Sequence, residues 1–451
     1  MISAAEALTA ASPAKPRHRW YTVFALSVAY LIDSMEGYTL QFLWPYMYPT
    51  LGIPVANLAI LQSIGRVVSA ITGPIWGYIA DRSSRKAILV VMTGVWGLWT
   101  AAKGFANSFS QLLLFATLAG IGLTVLEPAA LSLLSDLFDR KERGRAIGFM
   151  IAAGFAGSMV SVVILGAIAE GNANAWRYGF IIIGALSFAS GLLLLGINER
   201  PRGSAEPEIS DVVTAETAPR IEPQLIPQLL HIPTWVFNMI SGNIDFMGFA
   251  ILSAWAFTWI VELDMGPMVQ VAMLAMMAGT VLGHLGFGWL SDYVDRRNPN
   301  YGRVAIGQIG FVINLGAAIG FLALGDRGVL VLSIFGMLFG LSFALKGSGA
   351  QLPIEQNVLP PELRSTGRAL GSWISAFVTA GGVGLSGLLL TRLDNDLQRM
   401  MLIMVPLPIL IGTLLRIPMF RTYRRDMAAL EARLSGQREA MSDGESADQS
   451  S

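Results

Sequence analysis

The sequence predicts an all-α membrane protein with twelve transmembrane helices in two pseudo-symmetric six-helix halves. Three observations support this fold class: too little charge for a soluble globule, twelve long apolar segments and an internal repeat. Charged residues make up 14 % of the 451 residues, against about 25 % in an average soluble protein, and the mean hydropathy is +0.56. Basic and acidic residues balance at 31 each, which excludes a nucleic-acid binder held by bulk charge.

Twelve apolar segments are long enough to span a membrane as helices. A helix needs about 20 largely apolar residues to cross a bilayer, whereas a membrane strand alternates apolar and polar residues over about 10 positions. These segments are continuously apolar, which favours helices. They cover residues 20–46, 56–80, 86–106, 110–137, 143–168, 176–197, 233–262, 267–294, 302–325, 328–350, 366–391 and 398–420.

Basic residues predict the orientation, because Lys and Arg collect in cytoplasmic loops. Basic clusters precede the first span and follow the second, fourth, sixth, eighth, tenth and twelfth spans. The opposite loops hold only Lys103, Arg177, Arg327, Arg392 and Arg399. We therefore expect an integral protein of a bacterial cytoplasmic (inner) membrane, with a cytoplasmic tail at 1–19 and a cytoplasmic, largely disordered tail at 421–451.

Three sequence landmarks recur in the same order about 210 to 225 residues later. The pairs are Asp33 with Asp245, Gly77 with Gly288, and Arg145 with Arg368, each within a similar local sequence. This repeat predicts two parallel six-helix halves, at 20–197 and 233–420, related by an axis along the membrane normal. Residues 198–232 are rich in Pro, Glu, Ser, Thr and Ala and are predicted to form a cytoplasmic linker, with a short interfacial helix from 226 to 232.

The loop after the second span carries a recognisable motif. Its sequence, Gly77-Tyr78-Ile79-Ala80-Asp81-Arg82-Ser83-Ser84-Arg85-Lys86, resembles the loop signature of the major facilitator superfamily, which is Gly, three residues, Asp-Arg, two residues and two basic residues. A weaker copy runs from Gly288 to Arg297. The resemblance covers about 20–420 and implies that superfamily's fold, alternating access around a midplane site and a monomeric protein.

Within the superfamily, residues 120–146 resemble spinster-like and organic-anion members. Those members often carry an Arg in the fourth span and a Glu seven residues later. Here the two positions hold Ala116 and Leu123, and the acid is Glu127, one helical turn further on. The fifth span also lacks the Gly-Pro signature of drug antiporters.

The motif predicts a gate between the two halves. Asp81 can accept from the positive end of a helix in the other half, and Arg82 and Arg85 can pair with Asp136 and Asp139. Such contacts would latch the outward-facing state. The predicted gating residues are Gly77, Asp81, Arg82, Arg85, Arg145, Asp292 and Arg368.

Three acids inside predicted spans are candidates for proton coupling, because a charge at the bilayer centre costs roughly 2.5 to 3.5 kcal/mol. Asp33 and Glu36 are three residues apart and share one helix face, which we expect to point into a central cavity. Glu127 precedes Pro128, which can kink the fourth span. The alternative for each acid is a hydrogen bond or ion pair that holds helices together.

Basic and polar residues inside the spans are candidates for substrate binding. The Arg66 guanidinium matches a carboxylate in bidentate geometry, which belongs either to the substrate or to one of the three acids. Lys346 is a second candidate anion receptor, with a structural pair to Asp245 as the alternative. Asp245, His284 and Tyr38 complete the candidate set. The alternative for Asp245 is the structural pair with Lys346, and the alternative for His284 and Tyr38 is helix packing.

These features predict a proton-coupled secondary transporter of a small organic anion, such as an aromatic or sugar acid, working by H⁺ symport. One alternative is an H⁺ antiporter that exports amphipathic, lipid-like or drug-like compounds. Another is a non-transporting membrane sensor, although the linker and tail are short and polar for a signalling domain. We expect no cofactor, no metal and no enzyme activity, and the predicted partners are the substrate, protons and the lipid bilayer.

Overall fold

The computed structural model describes residues 18–122, 125–138, 140–169, 172–199, 226–266 and 268–448. Over these ranges the chain is helical and no strand is described, as the sequence predicts. All twelve predicted spans are present, each as one helix or as two or three consecutive helical segments. The predicted tail at 1–19 falls mostly outside the described residues.

The N-terminal half contains the first six spans. Most are single helices, but the third contains a wider π-helical turn and the fourth is described as two helices. Their bounds are Arg19–Leu51, Asn57–Arg82, Arg85–Leu89 with Val90–Val95 and Leu98–Lys103, Phe109–Gly122 with Leu126–Leu137, Arg140–Ala169, and Trp176–Leu194.

The C-terminal half contains spans seven to twelve. The tenth span includes a π-helical turn, and the twelfth is broken before Pro406, whose ring lacks the backbone donor that a continuous helix needs. Their bounds are Pro233–Glu262, Met268–Arg297, Gly302–Ala323, Val329–Lys346 with Gly347–Gln351 and Leu352–Val358, Pro361–Arg392, and Leu397–Met404 with Pro406–Leu415.

Ten of the described helices are long and apolar enough, by length and composition, to cross a membrane. The first and third spans are the two predicted spans outside that group. The first carries Asp33 and Glu36, which lower its hydropathy, and the third is divided into short helices. The two spans outside the group of ten thus carry acidic residues or are divided into short helices.

The fourth span breaks beside one of the predicted acids. Its second helix begins at Leu126, so Glu127 and Pro128 both lie in the first turn of that helix. Pro is tolerated in a first turn, where its missing N–H has no helical partner. Pro128 therefore lies where the second described helix of the fourth span begins.

The two halves meet at one face of the molecule. We call the face that holds the start of the first span and the end of the twelfth the terminal face, and the opposite one the distal face. Near the distal face, Ser63 donates a 2.8 Å hydrogen bond to the Ala380 carbonyl, and Phe42 packs edge-on against Phe257 at 4.9 Å between ring centroids. From these contacts the halves diverge toward the terminal face, and a cavity lies between them.

The segment after the twelfth span is described as a helix from Met419 to Asp448. Tyr423 in its second turn is fully buried. Asp426 accepts a 2.8 Å hydrogen bond from the Thr234 amide at the start of the seventh span. The first turns are helical because they have apolar and polar partners in the C-terminal half.

Most of the predicted linker, residues 200–225, lies outside the described residues. Its last part forms a helix from Ile226 to Leu230, within the predicted range 226–232. Leu229 of this helix is fully buried in a cluster that includes Trp235. Packing against the C-terminal half therefore accounts for this helix.

Candidate functional site

A central cavity of about 500 Å³ lies between the two halves. Its charged lining comes from the N-terminal half and consists of Glu36, Arg66 and Lys103. A second cavity of about 370 Å³ shares Phe246, Ser372 and Ser375 with it and extends to the terminal ends of the tenth and eleventh spans. Together they form one pathway from the middle of the molecule toward the terminal face.

Arg66 lies in this cavity, and no described residue forms an ion pair with it. Its Nε atom is buried and has no hydrogen-bond partner among the described residues. The ionisable group that acts on it electrostatically is Tyr38, whose ring stacks on Phe42 at 5.6 Å. The sequence offered Asp33, Glu36 or Glu127 as partners, and none of these carboxylates forms an ion pair with Arg66 within the described ranges. The guanidinium is therefore available to an anion in the cavity.

Lys103 ends the third span and is buried with 7 % of its surface exposed. The sequence pattern places Lys103 in a loop, whereas in the structure it belongs to the span and its ammonium group points into the N-terminal half. Its Nζ donates to the Thr100 hydroxyl at 3.3 Å, Thr100 in turn bonds the Glu36 carboxylate, and Lys103 and Glu36 attract each other electrostatically. Glu36 and Lys103 thus form a charge-compensated group in the cavity wall.

The structure brings the three predicted coupling acids together. Asp33 lies within electrostatic range of both Glu36 and Glu127. Glu127 also accepts a 3.3 Å hydrogen bond from the Tyr30 hydroxyl. Asp33 and Glu36 line one small cavity between the first and third spans. We call Asp33, Glu36 and Glu127 the acid cluster.

Asp245 and Lys346 form an ion pair inside the C-terminal half. Lys346 Nζ lies 2.6 Å from Asp245 and donates a 2.7 Å hydrogen bond to Asn314 Oδ1. Both charged side chains are at most 3 % exposed, and neither lines the two connected cavities. This geometry favours the structural alternative over substrate binding, because each charge is already neutralised by the other.

A further buried cation, Arg416, stands close to this pair. It is fully buried, donates a 3.0 Å hydrogen bond to Asn238 Oδ1 and is attracted to Asp245. Its Nε and Nη2 atoms have no partner among the described residues. The C-terminal half therefore holds two cations, Lys346 and Arg416, around one carboxylate.

His284 lies where the two halves approach each other. Its Nδ1 is 2.7 Å from the Thr280 carbonyl, and its ring is 5.9 Å from that of Phe155 in the other half. It also lines the terminal part of the pathway. His284 is thus the candidate that contacts both the pathway and the opposite half.

The loop motif is held by ionic contacts within the N-terminal half. Arg85 is 2 % exposed, pairs with Asp136 as predicted and lies 3.1 Å from Glu199. Arg82 stacks over the Tyr78 ring at 3.7 Å. Gly77 and Asp81 lie in the last turns of the second span, and Asp139 lies outside the described residues.

Glu199, which follows the sixth span, holds this loop in place through its carboxylate. Its carboxylate accepts hydrogen bonds from the Ser84 hydroxyl and from the Arg85 and Lys86 amides. Partial burial alone would raise the pKa of Glu199, but these bonds outweigh it and hold the pKa below its usual range. The carboxylate thereby joins the loop motif to the first residues of the linker.

Replacing Glu199 by Gln should lower the melting temperature of the protein at neutral pH. Because the folded-state pKa is depressed, this stabilisation is present above the unfolded pKa of about 4.3 and is lost as the pH falls through the folded value. The melting difference between wild type and Glu199→Gln, measured from neutral pH to acid, should therefore shrink. Glu431→Gln, at an exposed position, is the matched control, and a difference that grows on acidification would contradict the assignment.

The other predicted gating residues also make contacts within their own half. Asp292 pairs with Arg303 at 2.9 Å, and Arg368 lies 3.7 Å from Glu355. Arg145 lies over the Trp20 ring at 5.4 Å from its centroid. These contacts stabilise each half while the pathway toward the terminal face is open.

Four charged residues with defined contacts were missed as site candidates: Lys103, Glu199, Glu355 and Arg416. Arg416 had a readable signal, since it interrupts the last apolar segment five residues before the terminal basic cluster. Lys103 and Glu355 lie near predicted span ends, where charge is common. Only their three-dimensional neighbours distinguish them from ordinary end-of-helix residues.

Comparison with known proteins agrees with this architecture. A model of the Major Facilitator Superfamily matches residues 26–385. A bacterial homologue of the human lysosomal transporter Spinster, solved in an inward-facing and unoccupied conformation, superposes with a TM-score of 0.73 at 18 % identity, covering 92 % of this chain and 98 % of that one. A D-xylose-proton symporter superposes with a TM-score of 0.65 at 14 % identity, over 87 % and 97 %. At identities this low, the two superpositions show a shared fold and nothing further.

Sequence relatives match over shorter segments. Protein spinster of Drosophila melanogaster is 28 % identical over 190 residues, or 42 % of this chain and 31 % of that protein. The probable 4-methylmuconolactone transporter of Cupriavidus pinatubonensis is 32 % identical over 35 % of this chain and 38 % of its own length. The galacturonate transporter of Dickeya chrysanthemi is 24 % identical over 41 % and 53 %. The matched segment thus spans about a third to a half of these relatives.

Twelve spans in two halves around a central pathway define a membrane transporter rather than an enzyme. The chain belongs to the major facilitator superfamily. Its sequence relatives include transporters of organic acids.

Proposed function

We propose that this protein is a proton-coupled symporter of small organic anions. The observation that carries the proposal is Arg66, a guanidinium in the central cavity to which no carboxylate of the described residues is paired. An uncompensated cation in such a cavity is costly, and a bound carboxylate would offset that cost through charge-assisted hydrogen bonds. Lys103 lies in the same cavity wall, where its charge is balanced by Glu36.

The proposed orientation places the terminal face in the cytoplasm of a bacterial inner membrane. The basic loops all belong to that face, as expected for cytoplasmic loops. With this orientation, the pathway described above is open to the cytoplasm and closed by Ser63, Phe42 and Phe257 on the other side. Substrate release into the cell is the step that this arrangement fits.

The acid cluster is the proposed proton site. Asp33 stands between Glu36 and Glu127, and neighbouring like charges repel, so one shared proton lowers the energy of the group. The Lys103–Glu36 attraction links this cluster to the substrate cavity. An anion that binds Arg66 therefore lies beside the Lys103–Glu36 pair, which belongs to the same electrostatic network as a proton bound at Asp33.

Substituting Asp33 by Asn should uncouple transport from protons. In proteoliposomes, Asp33→Asn should lose uptake driven by a pH gradient and keep exchange of labelled for unlabelled substrate, because exchange requires no net proton movement. Asp326→Asn, an exposed substitution of the same chemistry, should behave as wild type in both assays.

Two outcomes would overturn the proposal. If pH-driven uptake persists in Asp33→Asn and also in Glu36→Gln and Glu127→Gln, the acid cluster does not carry the proton. If the wild type moves only neutral amphipathic compounds, and moves them outward, the protein is an exporter. Both assays use the complete purified protein.

A further inference from the structure

A third cavity lies beside the central one and has a different lining. It measures about 100 Å³ and is enclosed by the first, fifth, seventh and eighth spans, so both halves contribute to it. Four aromatic and four methionine side chains line it, among them Phe155, Phe249, Met276 and Met277. We call this cavity the methionine pocket.

Three hydroxyls that line the methionine pocket already donate hydrogen bonds within the protein. The hydroxyl of Ser158 donates to the Gly154 carbonyl at 3.2 Å, and that of Thr280 donates to the Met276 carbonyl at 3.1 Å. Ser253 donates to the Gln41 side chain at 3.3 Å. The pocket therefore offers polarizable apolar surface and few groups for the hydroxyls of a sugar.

The methionine pocket adjoins the anion-binding part of the central cavity. Gln41 lines both cavities, so the two cavities adjoin at this side chain. Tyr38 lines the pocket and lies within electrostatic range of Arg66. A carboxylate bound to Arg66 would hold the rest of its molecule near this wall.

We propose that the anion carried by this protein bears a compact apolar ring or short branched chain, which occupies the methionine pocket while its carboxylate binds Arg66. This inference rests on the proposed function and narrows the substrate class from organic anions to cyclic or branched monocarboxylates. An engineered apolar cavity of about 150 Å³ binds benzene, so a pocket of about 100 Å³ suits one small ring. A polyhydroxylated acid would lose hydration there without replacement hydrogen bonds.

Thermal stabilisation of the purified complete protein tests this with benzoate, cyclohexanecarboxylate and glucuronate. The wild type should bind the two apolar cyclic acids at least tenfold more tightly than glucuronate. Met277→Trp fills the pocket and should weaken benzoate binding at least tenfold, with little effect on glucuronate. Met337→Trp, on the exposed side of the tenth span, is the matched control and should leave benzoate binding unchanged.

A second variant covers the possibility that the larger side chain disturbs folding. Met277→Ala enlarges the pocket and should shift the preference toward 1-naphthoate relative to benzoate. Tighter binding of glucuronate than of benzoate by the wild type, or no change in ring preference in Met277→Ala, would overturn the inference.

The two proposals fail in different ways. If Arg66→Ala abolishes binding of all acids but no ring preference exists, the anion-transport proposal stands and the methionine pocket does not bind substrate. If acid binding does not depend on Arg66, both proposals fail.

Discussion

Replacing Arg66 by Ala should weaken binding of the carboxylate substrate by roughly 30-fold to several thousand-fold. This range corresponds to about 2–5 kcal/mol, the cost of leaving one member of a buried charge pair without its partner. The effect should be large because Arg66 Nε has no partner within the described part of the chain, so in the proposed function a bound carboxylate serves as its counter-ion. Ligand-induced thermal stabilisation of the purified protein measures the loss directly.

Arg66→Lys separates charge from geometry. It keeps the positive charge but loses the planar fork that binds a carboxylate in bidentate fashion, so binding should fall between that of wild type and Arg66→Ala. Arg327→Ala removes an exposed Arg at the distal face and should leave binding unchanged. Equal binding by wild type and Arg66→Ala would show that Arg66 serves helix packing.

The second large expected effect concerns the ion pair of Asp245 and Lys346. Replacing Asp245 should lower the unfolding free energy more than replacing Lys346. Asp245→Asn leaves the cations Lys346 and Arg416 facing each other without a carboxylate, and should cost about 3–5 kcal/mol of unfolding free energy. Lys346→Met leaves Asp245 attracted to Arg416, so it should cost less, about 1.5–3 kcal/mol for the lost charged hydrogen bonds. Denaturation in detergent compares the two variants.

A double-mutant cycle isolates the interaction between these two residues. The combined variant Asp245→Asn/Lys346→Met should be less destabilised than the sum of the single variants, because the second change removes a cation that the first left uncompensated. Asp326→Asn, at an exposed position, should change stability by less than about 0.5 kcal/mol. Additive losses would indicate that the two charges do not depend on each other.

Much of the fold could be predicted because membrane helices leave strong local signals. Length, hydropathy and the repeat each depend on residues near one another in sequence, or on copies of them, and require no knowledge of packing. The loop motif from Gly77 to Lys86 indicated the superfamily for the same reason. The segment after Arg421 was harder, because its helix depends on contacts such as Asp426 with Thr234.

The candidate site was predictable only in part. The cost of intramembrane charge singled out Asp33, Glu36 and Arg66, and the structure places Glu36 and Arg66 in the central cavity. The same cost also singled out Asp245 and Lys346, which lie in a buried pair outside the two connected cavities. The sequence shows that a charged residue is present in a span. Its role depends on which charged groups lie near it in the folded protein.

The sequence by itself determined the membrane class, the twelve spans, the two-half plan and the superfamily motif. The tertiary structure decided that Lys103 faces Glu36, that Arg416 joins the Asp245–Lys346 pair and that Arg66 has no protein counter-ion among the described residues. The physical reason is the range of the interactions involved. Spanning a bilayer depends on the hydropathy of a local segment, whereas pairing, burial and cavities depend on distances between helices that are far apart in the chain.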